Sequence, residues 1–178
     1  MSVQLKDKNF KPFINRKQIQ ERISQIGAEI SQKYKGEDLL LIGVLNGSFI
    51  FMADLCRAID LPLECSFVKI SSYQGTESTG KVKTLIGLGE NLTGKNILIV
   101  EDIVDTGISM NHMLEQISDY NPANISIVTL LYKPEAFQFN YAIDYVCFEI
   151  PNKFVVGYGL DYDSLGRNLP EIYQHDTP

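Results

Sequence analysis

Between positions 16 and 34 apolar side chains recur three or four residues apart, at Ile19, Ile23, Ile26, Ile30 and Tyr34. That spacing draws one apolar stripe down a helix. Residues 39–45 (LLLIGVL) are apolar without interruption, the pattern of a strand buried on both faces. Asn46-Gly47-Ser48 breaks the run, and a helix is predicted over 49–59, so strand, tight turn and helix form half of a βαβ unit. Alternation predicts strands over 63–70 and 84–88. The polar stretch 71–83 between them, with two glycines and only Tyr73 and Val82 as apolar anchors, reads as a long mobile hairpin connection. A second buried strand is predicted over 96–101, then a helix over 108–120 with Ile108, Leu114 and Ile117 facing inward. Strands follow over 125–132, 143–148 and 155–160. Strand alternating with helix predicts an α/β fold with a mostly parallel, doubly wound sheet flanked by helices. No repeat or linker interrupts the pattern, so residues 1–178 read as a single domain.

Composition narrows the class. An apolar content of 44% supports an ordinary globular core. A formal charge of −6 speaks against charge-driven binding to nucleic acid or to an anionic membrane. It does not speak against a small phosphorylated ligand, which a few amides, a helix terminus and one Mg²⁺ can hold. Cys56, Cys65 and Cys147 form no CxxC pair and read as buried free thiols of a reducing compartment. The N-terminal stretch has no apolar core of signal-peptide length, and no run reaches membrane-span length. A soluble, cytoplasmic protein is expected.

The chemistry concentrates in residues 97–109 (ILIVEDIVDTGIS). The apolar strand delivers Glu101 and Asp102 at its carboxyl end, where open α/β sheets bind ligands. Asp105-Thr106-Gly107-Ile108-Ser109 then turns into a helix, offering backbone N–H groups, a glycine for close approach and two hydroxyls. Those are the parts a phosphate monoester needs. Two upstream carboxylates suit the vicinal hydroxyls of a ribose. Taken alone, Asp-Thr-Gly would be only an N-capped helix start. The whole segment is too long a pattern for that.

This segment resembles the phosphoribosyl diphosphate signature of the type I phosphoribosyltransferases. Leu45-Asn46-Gly47-Ser48, Ser72-Tyr73, Leu131-Tyr132-Lys133 and residues 149–167 (EIPNKFVVGYGLDYDSLGR) match in order, and resemble the hypoxanthine-guanine branch in particular. The resemblance implies a glycosyltransferase of purine salvage, moving phosphoribosyl from its diphosphate onto hypoxanthine or guanine with Mg²⁺. It also implies a hood subdomain, built from about 149–178 with the N-terminal residues, and a mobile loop at about 71–83.

By resemblance, Asp105 is the catalytic general base at purine N7. Glu101, Asp102, Asp105, Thr106, Gly107, Ile108 and Ser109 bind the ribose and its 5′-phosphate, while Glu101, Asp102 and Asp161 hold metal. Lys133, Phe154, Val155 and Asp161 take the purine, Lys133 by donating to O6 and Phe154 by stacking. Leu45, Asn46, Gly47 and Arg167 bind diphosphate, and Ser72 and Tyr73 belong to the closing loop. Without the resemblance Lys133 would read as a solvated lysine and Phe154 equally as a core aromatic. The family often has lysine where this chain has Asn46, and often a cis peptide at that loop. His112, mid-helix, and His175, near the end of the chain, are assigned no role. Small-molecule substrates and a homodimer or homotetramer are implied. A regulator that only senses the diphosphate, and a transferase for another base, are the competing readings. The acid balance and Lys133 speak against them.

Overall fold

In the computed structural model of the chain, residues 2–71, 83–86 and 91–176 are described. Ser72, Tyr73 and most of the polar connection lie outside them. The main sheet has six strands in the order β5-β4-β3-β6-β7-β8. Strands β3 (Leu39–Leu45), β4 (Glu64–Ser71), β6 (Asn96–Val104), β7 (Asn124–Tyr132) and β8 (Tyr145–Glu149) run parallel, and β5 (Lys83–Ile86) joins β4 antiparallel. The chain works outward from β3 to β4 and β5, then returns to β6 and continues the other way. The order therefore reverses between β3 and β6, and a crevice opens at their carboxyl ends.

Helix α1 (Arg16–Lys33) starts in a capping box. Asn15 Oδ1 accepts from the Gln18 amide at 2.9 Å, and Gln18 Oε1 accepts from the Asn15 amide at 3.0 Å. Its stripe of Ile19, Ile23, Ile26 and Ile30 is buried against the sheet and against α2 (Phe49–Ala58), which contributes Phe51, Met52 and Leu55. Tyr34 caps α1 and reaches under the sheet to donate to Ser126 at 2.9 Å. Close approach of the two helices depends on Gly27, where a Cβ would sit 2.6 Å from the Ala58 carbonyl oxygen. Gly27→Val must push the helices apart, and overpacking of this kind costs about 1–3 kcal/mol. Thermal unfolding should show a midpoint lowered by roughly 3–10 °C. An unchanged midpoint would mean that this contact does not set the helix spacing.

A second, antiparallel sheet orders its strands β1-β2-β10-β9 and forms the hood. Strands β1 (Val3–Leu5) and β2 (Lys8–Ile14) come from the N-terminal end, and β9 (Val155–Val156) and β10 (Ile172–His175) from the C-terminal part. Phe10, Val156 and Tyr173 are its small core. The hood reaches the main sheet at Gly159, whose φ of +105° no ordinary side chain favours and whose Cβ would overlap the carbonyl oxygen of Gly47.

Several expectations need correction. The strand expected over 155–160 is only Val155–Val156, because Gly157, Tyr158 and Gly159 all take positive φ and turn the chain. The strand expected to end at Glu101 continues to Val104 beside β7. Helix α3 (Ile108–Ser118) buries Met110, Met113 and Ile117, while Ile108 is 53% exposed. Of the cysteines only Cys147 is buried; Cys65 is exposed, and its Sγ lies 3.3 Å from that of Cys56 with both thiols free. Among the described residues, no helix is long and apolar enough to cross a membrane.

Candidate active site

Three hollows meet along residues 101–105. The first, of about 340 Å³, is walled by Glu101 and by residues 103–110. The second, of about 640 Å³, lies between Leu45-Asn46-Gly47 on one side and Glu101, Asp102, Ser109, Asp161 and Arg167 on the other. The third, of about 540 Å³, is lined by Asp102, Asp105, Lys133, Phe154, Val155 and Asp161, with Ile103 and Leu160. They adjoin and share walls. Glu101 and Ser109 serve the first and second, Asp102 and Asp161 the second and third, and Ile103 and Asp105 the first and third. Every described residue given a binding or catalytic role in the sequence thus lines one of three adjoining hollows at the switch point.

In the first hollow, Gly107 is the N-cap of α3 with φ +84° and no side-chain cap. Neither Asp105 nor Thr106 is therefore the cap that the local sequence suggests. Thr106 Oγ1 faces the Ile108 amide at 3.5 Å. The first amides of a helix lack intrahelical acceptors, so this turn presents donors and the positive end of the helix dipole to an anion. Ile108 is exposed because it stands at the rim of that cradle rather than on the buried stripe.

The second hollow is acidic at its floor. Glu101 Oε2 is buried with no hydrogen-bond partner. Burial, and then the charge of Asp102, holds the Glu101 carboxyl well above its usual range. Burial likewise lifts Asp102 to about 6, although its Oδ1 accepts from the Ile103 amide at 3.0 Å. At Gly47 a Cβ would overlap Asp102 Oδ2, so only glycine lets the loop lie against this carboxyl. The Leu45–Asn46 peptide is cis. Asp161 Oδ1 pairs with the Arg167 guanidinium at 2.6 Å, and its Oδ2 accepts from the Ser164 amide at 2.7 Å. Arg167 also donates to the Gly159 carbonyl at 2.7 Å. Among the described residues, no three His, Cys, Asp or Glu side chains close into a metal cage. The set still fits Mg²⁺, which takes one or two carboxylates and fills the remaining positions with water and substrate phosphate. An unpartnered buried carboxylate oxygen is the donor such an ion would satisfy.

The third hollow holds a charge pair. Lys133 Nζ lies 2.9 Å from Asp105 Oδ2, and the lysine is only 7% exposed, so it is not the solvated residue that its place beyond a strand suggests. Phe154 is 43% exposed on the hood side, backed by Phe10 and Tyr162 with ring centroids 6.1 and 5.8 Å away. Lys8 Nζ lies over the ring 5.5 Å from its centroid, and the ring lines the third hollow, where an aromatic can stack on a planar base.

Three groups beside the site were given no role in the sequence. Ser48 Oγ is buried without a partner among the described residues. The β7–β8 connection packs Phe137 and Tyr141 against Gly107, and Tyr141 donates to the Gly107 carbonyl at 2.8 Å. Burial, then the charge of Glu101, pushes the Tyr141 phenol up to about 12, so it remains a donor in the ordinary pH range. The signal in the sequence for Phe137 and Tyr141 was the aromatic cluster Phe137, Phe139 and Tyr141 in the connection 133–144.

Comparison with known proteins bears on what this crevice does. The model of the phosphoribosyl transferase domain matches residues 15–163. The hypoxanthine-guanine phosphoribosyltransferase of Mycobacterium avium is 44% identical over 176 residues, covering 91% of this chain and 87% of that one. The hypoxanthine phosphoribosyltransferase of Escherichia coli K12 is 44% identical over 158 residues, covering 87% and 89%. A solved structure of Trypanosoma cruzi hypoxanthine phosphoribosyl transferase superposes with a TM-score of 0.89 at 37% identity, covering 98% of this chain and 95% of that one.

Proposed function

The chain belongs to the phosphoribosyl transferase family, and from that membership we propose that it makes purine nucleoside monophosphates from phosphoribosyl diphosphate and a 6-oxopurine. Hypoxanthine is the proposed base, with guanine beside it. The C1–O bond to diphosphate breaks, diphosphate leaves with the electron pair, and purine N9 forms the new bond to C1. One observation carries the choice of base, namely the Lys133–Asp105 pair. A 6-oxopurine presents O6, an acceptor, beside N7–H, a donor. A buried cation next to a carboxylate is the complement of that edge. Adenine puts an amino group at position 6 and would leave the buried lysine facing a donor, a mismatch that can reject a substrate by about 10⁴-fold.

In this reading Asp105 takes the N7 proton as N9 attacks, and Lys133 holds O6 and steadies the carboxylate between turnovers. Phe154 stacks on the base, and Val155 presents its backbone to the purine edge. Thr106, Gly107, Ile108 and Ser109 bind the 5′-phosphate. Glu101 and Asp102 accept the ribose hydroxyls and, with Asp161, would hold Mg²⁺. Bound there, the ion would supply positive charge to offset that of the diphosphate. Leu45, Asn46, Gly47 and Arg167 line the hollow into which diphosphate departs. Ser72 and Tyr73 would close over it, excluding the water that competes as nucleophile. We also place the protein in the cytoplasm and expect a homodimer or homotetramer, free of nucleic acid and membrane.

The test is a steady-state assay with phosphoribosyl diphosphate, Mg²⁺ and each of hypoxanthine, guanine, xanthine and adenine. Product should form with hypoxanthine and not measurably with adenine, and chelation of the metal should stop turnover until Mg²⁺ is returned. Absence of product with all four bases would end the proposal.

A further inference from the structure

Two consecutive carbonyls of the phosphate turn are tied to the β7–β8 connection. The Gln138 amide donates to the Thr106 carbonyl at 3.1 Å, and the Tyr141 hydroxyl donates to the Gly107 carbonyl at 2.8 Å. The Gly107 oxygen accepts a second bond, from the Asn111 amide at 2.9 Å, which is the first rung of α3. Phe137 closes the clamp from the side. Its ring comes within 2.6 Å of where a Gly107 Cβ would lie, and it meets Tyr141 edge-on with centroids 5.1 Å apart. Neither Phe137 nor Tyr141 lines the phosphate hollow.

A peptide unit is planar, so fixing its oxygen fixes the direction of its N–H, which in a trans unit points the opposite way. The Gly107 carbonyl and the Ile108 amide share one such unit, and the Thr106 carbonyl and the Gly107 amide share the preceding one. Gly107 sits at φ +84°, in a region that glycine enters and leaves readily. Apart from the Asn111 rung and a long bond from the Ile108 amide to Thr106 Oγ1 at 3.5 Å, the bonds from Gln138 and Tyr141 are what restrain the two planes. We propose that Tyr141 is a positioning residue for the substrate's 5′-phosphate, its hydroxyl pinning the Gly107 carbonyl so that the amides of the turn stay aimed at the anion. The inference rests on the reading of residues 105–109 as the 5′-phosphate site.

Tyr141→Phe removes the hydroxyl and keeps the ring that packs on Gly107. Calorimetric titration of wild type and variant with IMP and with inosine, which lacks the phosphate, separates positioning from general support. Loss of one aimed hydrogen bond is expected to weaken IMP by about fivefold and leave inosine unchanged. The KM for phosphoribosyl diphosphate should rise correspondingly, while that for hypoxanthine stays put. If IMP binding is unchanged in the variant, or if IMP and inosine weaken alike, Tyr141 does not act on the phosphate and the proposal is overturned. If wild type itself binds IMP no better than inosine, the phosphate-site reading falls first and takes this inference with it.

Discussion

Asp105→Asn should lower kcat by roughly 10²–10⁴-fold, the usual contribution of a positioned acid–base group, while phosphoribosyl diphosphate binds within a few-fold of wild type. An amide cannot take the proton that N7 gives up, so the chemical step suffers. The phosphate turn and the acidic floor of the second hollow keep their own contacts. A second effect follows from the partner. Lys133 is 7% exposed and has its ion-pair contact at Asp105 Oδ2. Removing that charge leaves a largely buried ammonium uncompensated, which is costly at full burial. Because the Asp105 side chain is 45% exposed, water screens part of the loss. The KM for hypoxanthine should therefore rise as well, though less than kcat falls. Steady-state kinetics with each substrate varied in turn, alongside a direct titration of the donor, separates the two. A variant that turns over at the wild-type rate would remove Asp105 from the chemistry.

The second large effect is expected at Gly47. Asp102 is held on one oxygen by the Ile103 amide and turns the other toward the Gly47 backbone, into space that a Cβ would occupy. In Gly47→Ala either the carboxyl rotates away or the loop retreats. Both misplace groups that the reaction needs in register, and a shift of about 1 Å can cost 10²-fold. We expect kcat/KM for phosphoribosyl diphosphate to fall on that order. The unfolding midpoint should change little, since the overlap falls on a carboxyl outside the hydrophobic core. A variant within twofold of wild type in kcat/KM would show that Asp102 need not stand where the structure puts it.

The parallel sheet was legible because burial on both faces leaves a plain trace: β3 is apolar at all seven positions and β6 begins as Ile-Leu-Ile-Val after Asn96. The acidic edge and the glycine turn were legible for a related reason, as continuous segments whose chemistry does not depend on distant partners. What the chain concealed lies in long-range pairs. Nothing local says that Lys133 will be buried, because the carboxylate that compensates it is 28 positions away. The support for Gly107 comes from Tyr141, 34 positions on, across a connection with no regular period. Ile108 misled for another reason. Helical periodicity assigns a face, and at the first turn that face has already left the core. The hood strands were faint because β1 and β9 are only three and two residues long, too short to establish alternation.

The hood and the loop at the carboxyl end of β3 touch backbone to backbone, with Gly159 against the carbonyl of Gly47. Such a joint has no side chain to bend, so it behaves as a gear tooth rather than a cushion. Any displacement of Gly159 therefore bears directly on the Gly47 peptide, which itself lies against Asp102.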